Sequence, residues 1–171
     1  VVRMTKSYRQ HLAPQITPIL VEGRFEADLG EGYYLTGQVD TASFEPKRLR
    51  DLKTGPTQRA NGAQYGGYGL NLKAHGIVLN EYVEDYVPRV RIEREQPPPS
   101  TSVLDPHVCE NSAVEAIDDI KRSVKEYARR LETGDRPPEG AFRANPQSML
   151  CSDKFCPAHG TSFCRAHKGA R

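Results

Sequence analysis

Asp40, Asp51 and Lys53 are the residues whose types and spacing can do chemistry together. Asp40 ends the run "YYLTGQVD", and Asp51 and Lys53 lie in "RLRDLKT". Charged residues are usually avoided inside strands, so these three either belong to a solvated ribbon or converge on something. The two-residue period of a strand puts Leu49, Asp51 and Lys53 on one side and Arg50 and Leu52 on the other. Carboxylates from the ends of adjacent strands can hold one divalent cation, which takes oxygen ligands and leaves positions for water and phosphate oxygens. An ammonium beside it can orient an attacking water and stabilise charge on a phosphate. Glu22, on the polar side of "ILVEGRFEADL", can add a third carboxylate, with Glu26 as its rival.

A second group gathers at the other end of the chain. Cys151-x4-Cys156-x7-Cys164 is followed by His167, with His159 between the last two cysteines. A disulfide framework would spread its cysteines across the fold, and clustering beside histidines fits metal better. Thiolates so spaced can grip Zn²⁺ or three corners of a 4Fe–4S cluster, with Cys109, His159 or His167 as a further ligand. Reduced, unligated thiols are the plainer alternative, and for Cys109 an ordinary buried or loop thiol is the favoured reading.

The elements that must position these groups follow from periodicity. Residues 3–12 read as the end of a helix stopped by Pro14 and Pro18. "ILVEGRFEADL" alternates, with Val21, Gly23, Phe25, Ala27 and Leu29 on the inner face. "GEG" turns the chain into "YYLTGQVDTAS", and "RLRDLKT" makes a third strand. "QYGGYGLNLKAHG" reads as a glycine-rich helix on which Gln64, Tyr68 and Leu72 share a face, closed by Gly76. "IVLNEYVEDYVPRVRIERE" reads as one or two strands running up to the breaker "QPPPSTS". Residues 112–132 form the clearest helix, with Ser112 and Glu115 as a capping box. Its apolar stripe is Val114, Ile117, Ile120, Val124, Tyr127 and Leu131. The layout is α/β, with an antiparallel front and a crossover helix.

The 171 residues suit one domain with a sizeable core, and 37% of them are hydrophobic. A net charge of +2 is too small to argue for a polyanion partner by itself. No run is long enough for a membrane span and no secretory signal is visible, which predicts a cytoplasmic protein without a membrane partner. The chain begins "VVRMTKSYRQHL" without an initiator methionine, and so reads as a processed or fragmentary end.

Taken as an ordered set, Gly37-Gln38-Val39-Asp40, Asp51-Leu52-Lys53-Thr54-Gly55 and Gln64-Tyr65-Gly66-Gly67-Tyr68 resemble the PD-(D/E)XK nuclease superfamily, in its RecB-like branch. That branch includes phage exonucleases and the nuclease of CRISPR adaptation. The resemblance covers roughly residues 18–80, extended by the tail. It implies an α+β fold, a restriction-endonuclease-like mixed central β-sheet flanked by helices, with a cysteine-rich C-terminal tail. The core would span 1–142 and the basic, cysteine-rich element 143–171. It also implies that Asp40 and Asp51, with Glu22 or Glu26, hold Mg²⁺ or Mn²⁺, and that Lys53 is the catalytic lysine. Gln64 and Tyr68 would border the site and the DNA. Many members carry a histidine on a helix before the first strand; His11 is the only upstream histidine here and lacks the G-x-x-x-H context.

Arg48, Arg50 and Arg59 flank this constellation and are candidate contacts to a nucleic-acid backbone, and Tyr65 is a candidate base-stacking side chain. The segment from Arg143 to Arg171 carries five Lys or Arg against one acid, Asp153, which makes it a candidate phosphate-contacting surface. The leading expectation is a metal-dependent deoxyribonuclease, a phage or bacterial exonuclease or end-processing enzyme acting with a recombination or defence partner. Its rival is a non-catalytic nucleic-acid-binding or assembly module organised by the cysteine tail.

Overall fold

Five strands make one mixed sheet in the order β1-β2-β3-β4-β5. They are β1 (Leu20–Asp28), β2 (Tyr34–Phe44), β3 (Lys47–Gly55), β4 (Glu81–Pro88) and β5 (Ser100–Leu104). The helices are α1 (Val2–His11), α2 (Gly62–Ala74), α3 (Pro106–Thr133) and the short α4 (Ser162–Ala166). The structure, a computed structural model, describes residues 2–58, 61–135, 141–142 and 152–166. The fold is therefore α+β. The chain divides into two compact units, Val1–Glu115 and Ala116–Arg171, with the division inside α3.

β1, β2 and β3 form an antiparallel meander, as their turn-separated alternating runs require. The chain then crosses over through α2 and returns as β4, parallel to β3, with Asp51 paired to Glu84 and Lys53 to Tyr86. β5 pairs antiparallel with β4 and closes that edge. Val39, Ala42, Leu49, Tyr65, Leu72, Leu79, Tyr82 and Cys109 form the core between the sheet, α2 and the start of α3. Each large apolar side chain buried there contributes about 1.5–3 kcal/mol.

The glycines of α2 permit an approach that no side chain would. A Cβ on Gly69 would stand 1.6 Å from the Tyr82 hydroxyl, and one on Gly66 would stand 1.9 Å from the carbonyl oxygen of Cys109. The helix-propensity cost of glycine is offset by this close packing. A polar tie fastens the same seam. Glu110 accepts from the Tyr82 hydroxyl at 2.5 Å and pairs with Lys73 at 2.6 Å.

Four expectations are corrected. Val21 is not on the inner face but exposed, because Glu22 has a left-handed φ of 52° that shifts the alternation by one step. Leu20 turns inward instead and covers Gly23. Residues 77–95 hold one strand, β4, which is one of the two readings made of them, but the stretch read as a breaker is not one throughout, since β5 begins inside it at Ser100. Pro97 to Pro99 lie ahead of that edge strand, where missing N–H groups cost no ladder bond. The long helix starts six residues before Ser112, at Pro106. Its cap is Asp105, whose carboxylate accepts from the N–H groups of His107 and Val108 at 2.8 and 3.1 Å. Ser112 lies within the helix and donates back to Val108 O, so it caps nothing. The predicted apolar stripe of this helix is not a core face, since Val114, Ile120, Val124 and Leu131 are exposed.

Candidate active site

β2, β3 and α2 supply the site, and one hydrogen-bonded chain runs through it. Lys53 Nζ lies 2.7 Å from Asp51 Oδ2 and donates to Gln64 Oε1 at 3.1 Å. Gln64 Nε2 in turn donates to the Tyr68 hydroxyl, 2.8 Å away. The i, i+4 spacing on α2 makes that last contact, and the two-residue spacing on β3 makes the first. Asp51 is 3% exposed, whereas Lys53 keeps part of its side chain in solvent.

Asp40 lies where β2 changes its facing. Val39 and Ala42 both reach the core though three residues apart, so the alternation slips between them. Asp40 Oδ2 accepts the Leu52 N–H of β3 at 3.0 Å, which pins the carboxylate against the neighbouring strand. Its pKa is raised from the ordinary carboxylate value. Burial is the main cause, the Leu52 hydrogen bond opposes it, the Asp51 and Glu22 carboxylates add to it, and the Lys53 ammonium opposes it. Glu22, Asp40, Asp51 and Lys53 thus act on one locus. Glu22, and not Glu26, is the acid of β1 that does so. The Glu22 carboxylate accepts from Gln38 Nε2, and Gln38 Oε1 accepts from Arg24 Nε at 3.1 Å.

Glu84, Gln58 and Ser102 of this network escaped the sequence reading. Glu84 of β4 is fully buried beside Asp51 in register. The Tyr65 hydroxyl donates to Glu84 Oε2 at 3.1 Å and approaches Asp51 Oδ2 at 3.4 Å. Gln58 Nε2 donates to Glu84 Oε1 at 2.8 Å and to Ser102 Oγ of β5 at 3.2 Å. A buried acid inside an apolar strand has no local signature. The available signal was that "EYVEDYV" carries three acids, Glu81, Glu84 and Asp85, where a central strand usually carries none.

Two of the nucleic-acid contacts are corrected. Arg50 is buried and donates to both oxygens of Asp85 at 2.8 Å, on the sheet face opposite Asp51, so it offers nothing to a phosphate. Tyr65 is fully buried and holds Glu84 and Asp51, so it cannot stack on a base. Burial, with the neighbouring acids, pushes its hydroxyl well above the ordinary tyrosine range. Arg48 pairs with Glu81 at the rim of the sheet. Arg59 lies outside the described residues.

The carboxylates fit a divalent cation by charge: a half-buried Asp40 carries two further acids near it, an excess that a hard cation relieves. As they stand, these acids are turned to protein donors. Among the described residues no group of three or more His, Cys, Asp or Glu encloses a metal position. In the tail, Cys151 and His167 lie outside the described residues, as do Arg143, Lys168 and Arg171. Cys156 and Cys164 are free thiols, and His159 donates its N–H to Cys156 O. Cys109 is buried beside Gly62 of α2, and its thiol pKa is raised by burial first and then by Asp105 and Glu110. That favours the neutral thiol over a ligating thiolate.

No family model matches this chain, and no curated protein matches it. No helix among the described residues is long and apolar enough to cross a membrane.

Proposed function

We propose that this chain is a metal-dependent DNA nuclease, of the RecB-like branch of the PD-(D/E)XK superfamily and with that superfamily's restriction-endonuclease-like core. The observation that carries the reading is the contact of Lys53 with both Asp51 and Gln64. Two motifs that are merely consecutive in sequence, Asp51-Leu52-Lys53 and Gln64 of α2, meet at one ammonium group, and Asp40 of the third is held against the same strand by the Leu52 N–H. A solvated ribbon would leave those side chains apart and exposed.

Asp40, Asp51 and Glu22 are the residues that would hold Mg²⁺ or Mn²⁺, and the bound ion would supply Lewis-acid stabilisation of phosphate charge. The protein's own groups do the rest. Lys53 places a positive charge where a phosphodiester would receive water, and Gln64 fixes the direction of that ammonium. Tyr65 fixes Asp51 from beneath and is itself fixed by Glu84.

The test is degradation of linear duplex and single-stranded DNA by the full chain, in Mg²⁺, in Mn²⁺ and in EDTA. Cleavage in either cation, none in EDTA, and loss of about 100-fold or more in Asp51→Asn and Lys53→Ala are expected. Undiminished cleavage in EDTA overturns the reading, and so does DNA binding without cleavage in any cation.

A further inference from the structure

Of the cations proposed as nucleic-acid contacts, Arg48 and Arg50 are committed to ion pairs, Arg59 lies outside the described residues, and the rest lie in the tail. A different basic surface is assembled in the first unit. α1 carries Arg3, Lys6 and Arg9 at three-residue spacing and contains no acid. Its buried or half-buried Met4, Ser7 and Tyr8, continued by Leu12, occupy the other side of the helix. The stretch after β4 adds Arg89, Arg91 and Arg94, all exposed, with Glu93 and Glu95 among them.

These two stretches lie far apart in sequence, and Arg3 joins them. Its guanidinium donates to the carbonyl oxygens of Arg94 at 2.5 Å and Arg91 at 3.0 Å. One cation is thus spent in holding the backbone of two others. Among the described residues none of the remaining five cations enters an ion pair. Gathering unpaired like charges is unfavourable unless a polyanion offsets it. The stretch also begins at the candidate site's end of the sheet. Arg89 donates its N–H to Gly55 O at 2.7 Å, two residues beyond Lys53 on β3. The cations therefore extend from the edge of the site back to α1.

We propose that α1 and residues 89–94 form a DNA-backbone track, contacting phosphates through Lys6, Arg9, Arg89, Arg91 and Arg94. An anionic membrane is the poorer fit. An interfacial helix needs a broad apolar face towards the lipid, and here only Val2 and Ile92 stand out beside the cations. The choice of DNA as the polyanion rests on the nuclease reading; the binding itself needs no catalysis.

The experiment measures binding of the full chain to a fluorescent DNA duplex by anisotropy, in EDTA, across a salt series. The patch triple Arg9→Ala/Arg91→Ala/Arg94→Ala is compared with a control triple, Lys47→Ala/Arg122→Ala/Lys125→Ala, that removes equal charge away from α1, residues 89–94 and the tail. All six positions are exposed, and circular dichroism confirms that each variant folds. The patch triple should weaken binding about tenfold or more and lower the log Kd against log salt slope by about 2 to 3, one for each lost phosphate contact. The control should keep both. A loss in the patch triple no larger than in the control overturns the proposal. So does binding to phosphatidylserine vesicles with none to DNA. A chain that binds DNA through this surface but cleaves nothing sinks the nuclease reading alone. A chain that cleaves, and whose patch triple binds normally, sinks this one alone.

Discussion

Tyr65 stands between two acids of adjacent parallel strands: its hydroxyl donates to Glu84 at 3.1 Å and lies 3.4 Å from Asp51. Asp51 and Glu84 are register partners, both buried, and the phenol separates them. One helix side chain thereby sets the position of the acid to which the proposed chemistry is assigned. The aromatic ring fills the core while its hydroxyl answers the carboxylates that the core encloses.

Tyr65→Phe removes that hydroxyl and little volume. Glu84 then keeps Gln58 as its donor, and Asp51 keeps Lys53. Leaving a buried acceptor under-satisfied costs about 1–3 kcal/mol, so the urea midpoint should fall by that equivalent. Cation-dependent hydrolysis should fall further than stability accounts for, because Asp51 is freed to turn. A variant with wild-type stability and wild-type rate would remove Tyr65 from the site.

Arg50 and Asp85 give a prediction of the opposite kind. Both are buried, and the guanidinium meets the carboxylate through two bonds at 2.8 Å, with Thr101 donating to the same acid. Removing one partner leaves an uncompensated buried charge, so Arg50→Ala should cost about 3–5 kcal/mol in chemical denaturation. Replacing both, as Arg50→Met/Asp85→Leu, should recover most of that loss. Equal instability in the single and the double variant would show that packing, not charge, dominates there.

The contrast between Arg50 and its neighbours marks how far the sequence could be read. Strand alternation was enough to place Leu49, Asp51 and Lys53 together, and the i, i+4 rule was enough to bring Gln64 to Tyr68. Local periodicity decides such relationships. It could not show that Arg50 meets Asp85, or that Glu84 lies under Asp51, because those contacts depend on which strand returns beside β3. It also placed Val21 on the wrong face, since the left-handed backbone that interrupts the period falls on Glu22, a residue type that does not announce it, and not on the glycine that follows. The false cap at Ser112 arose because a Ser-x-x-Glu pattern inside a helix looks the same in sequence as one that starts it.

Asp40 makes the metal-free protein pH-sensitive. Its folded pKa lies above the unfolded value of 3.8, so the native state binds the proton more tightly than the unfolded chain does. Its ionisation therefore opposes folding. Its contribution falls as pH rises from the ordinary carboxylate value through the raised one, and the penalty is fully present above both. In EDTA, Asp40→Asn should raise the melting temperature near neutral pH and lose that advantage below about pH 3.8. Adding Mn²⁺ should stabilise the wild type at neutral pH and not the variant. A variant less stable than wild type at neutral pH in EDTA would contradict the assigned cost of burying this carboxylate beside Asp51 and Glu22.

The adjacent glycines of α2 separate packing from propensity. A Cβ on Gly66 would meet the Cys109 carbonyl at 1.9 Å and the following nitrogen of Glu110 at 2.8 Å, both backbone atoms that cannot swing aside. Gly66→Ala should therefore push α2 away from the start of α3. That overpacking costs about 1–3 kcal/mol or more, read as a lower urea midpoint. A Cβ on Gly67 meets only a Leu35 methyl at 4.0 Å, an ordinary van der Waals contact. There the substitution removes only the propensity cost of glycine, so Gly67→Ala should stabilise the chain by about 0.5–1 kcal/mol. The clash at Gly66 also displaces the helix that presents Gln64 to Lys53, so Gly66→Ala should lower any cation-dependent cleavage at temperatures where the variant is still folded. Gly67→Ala should leave it unchanged. Equal effects of the two alanines on the denaturation midpoint would mean that α2 does not pack against the Cys109 backbone as described.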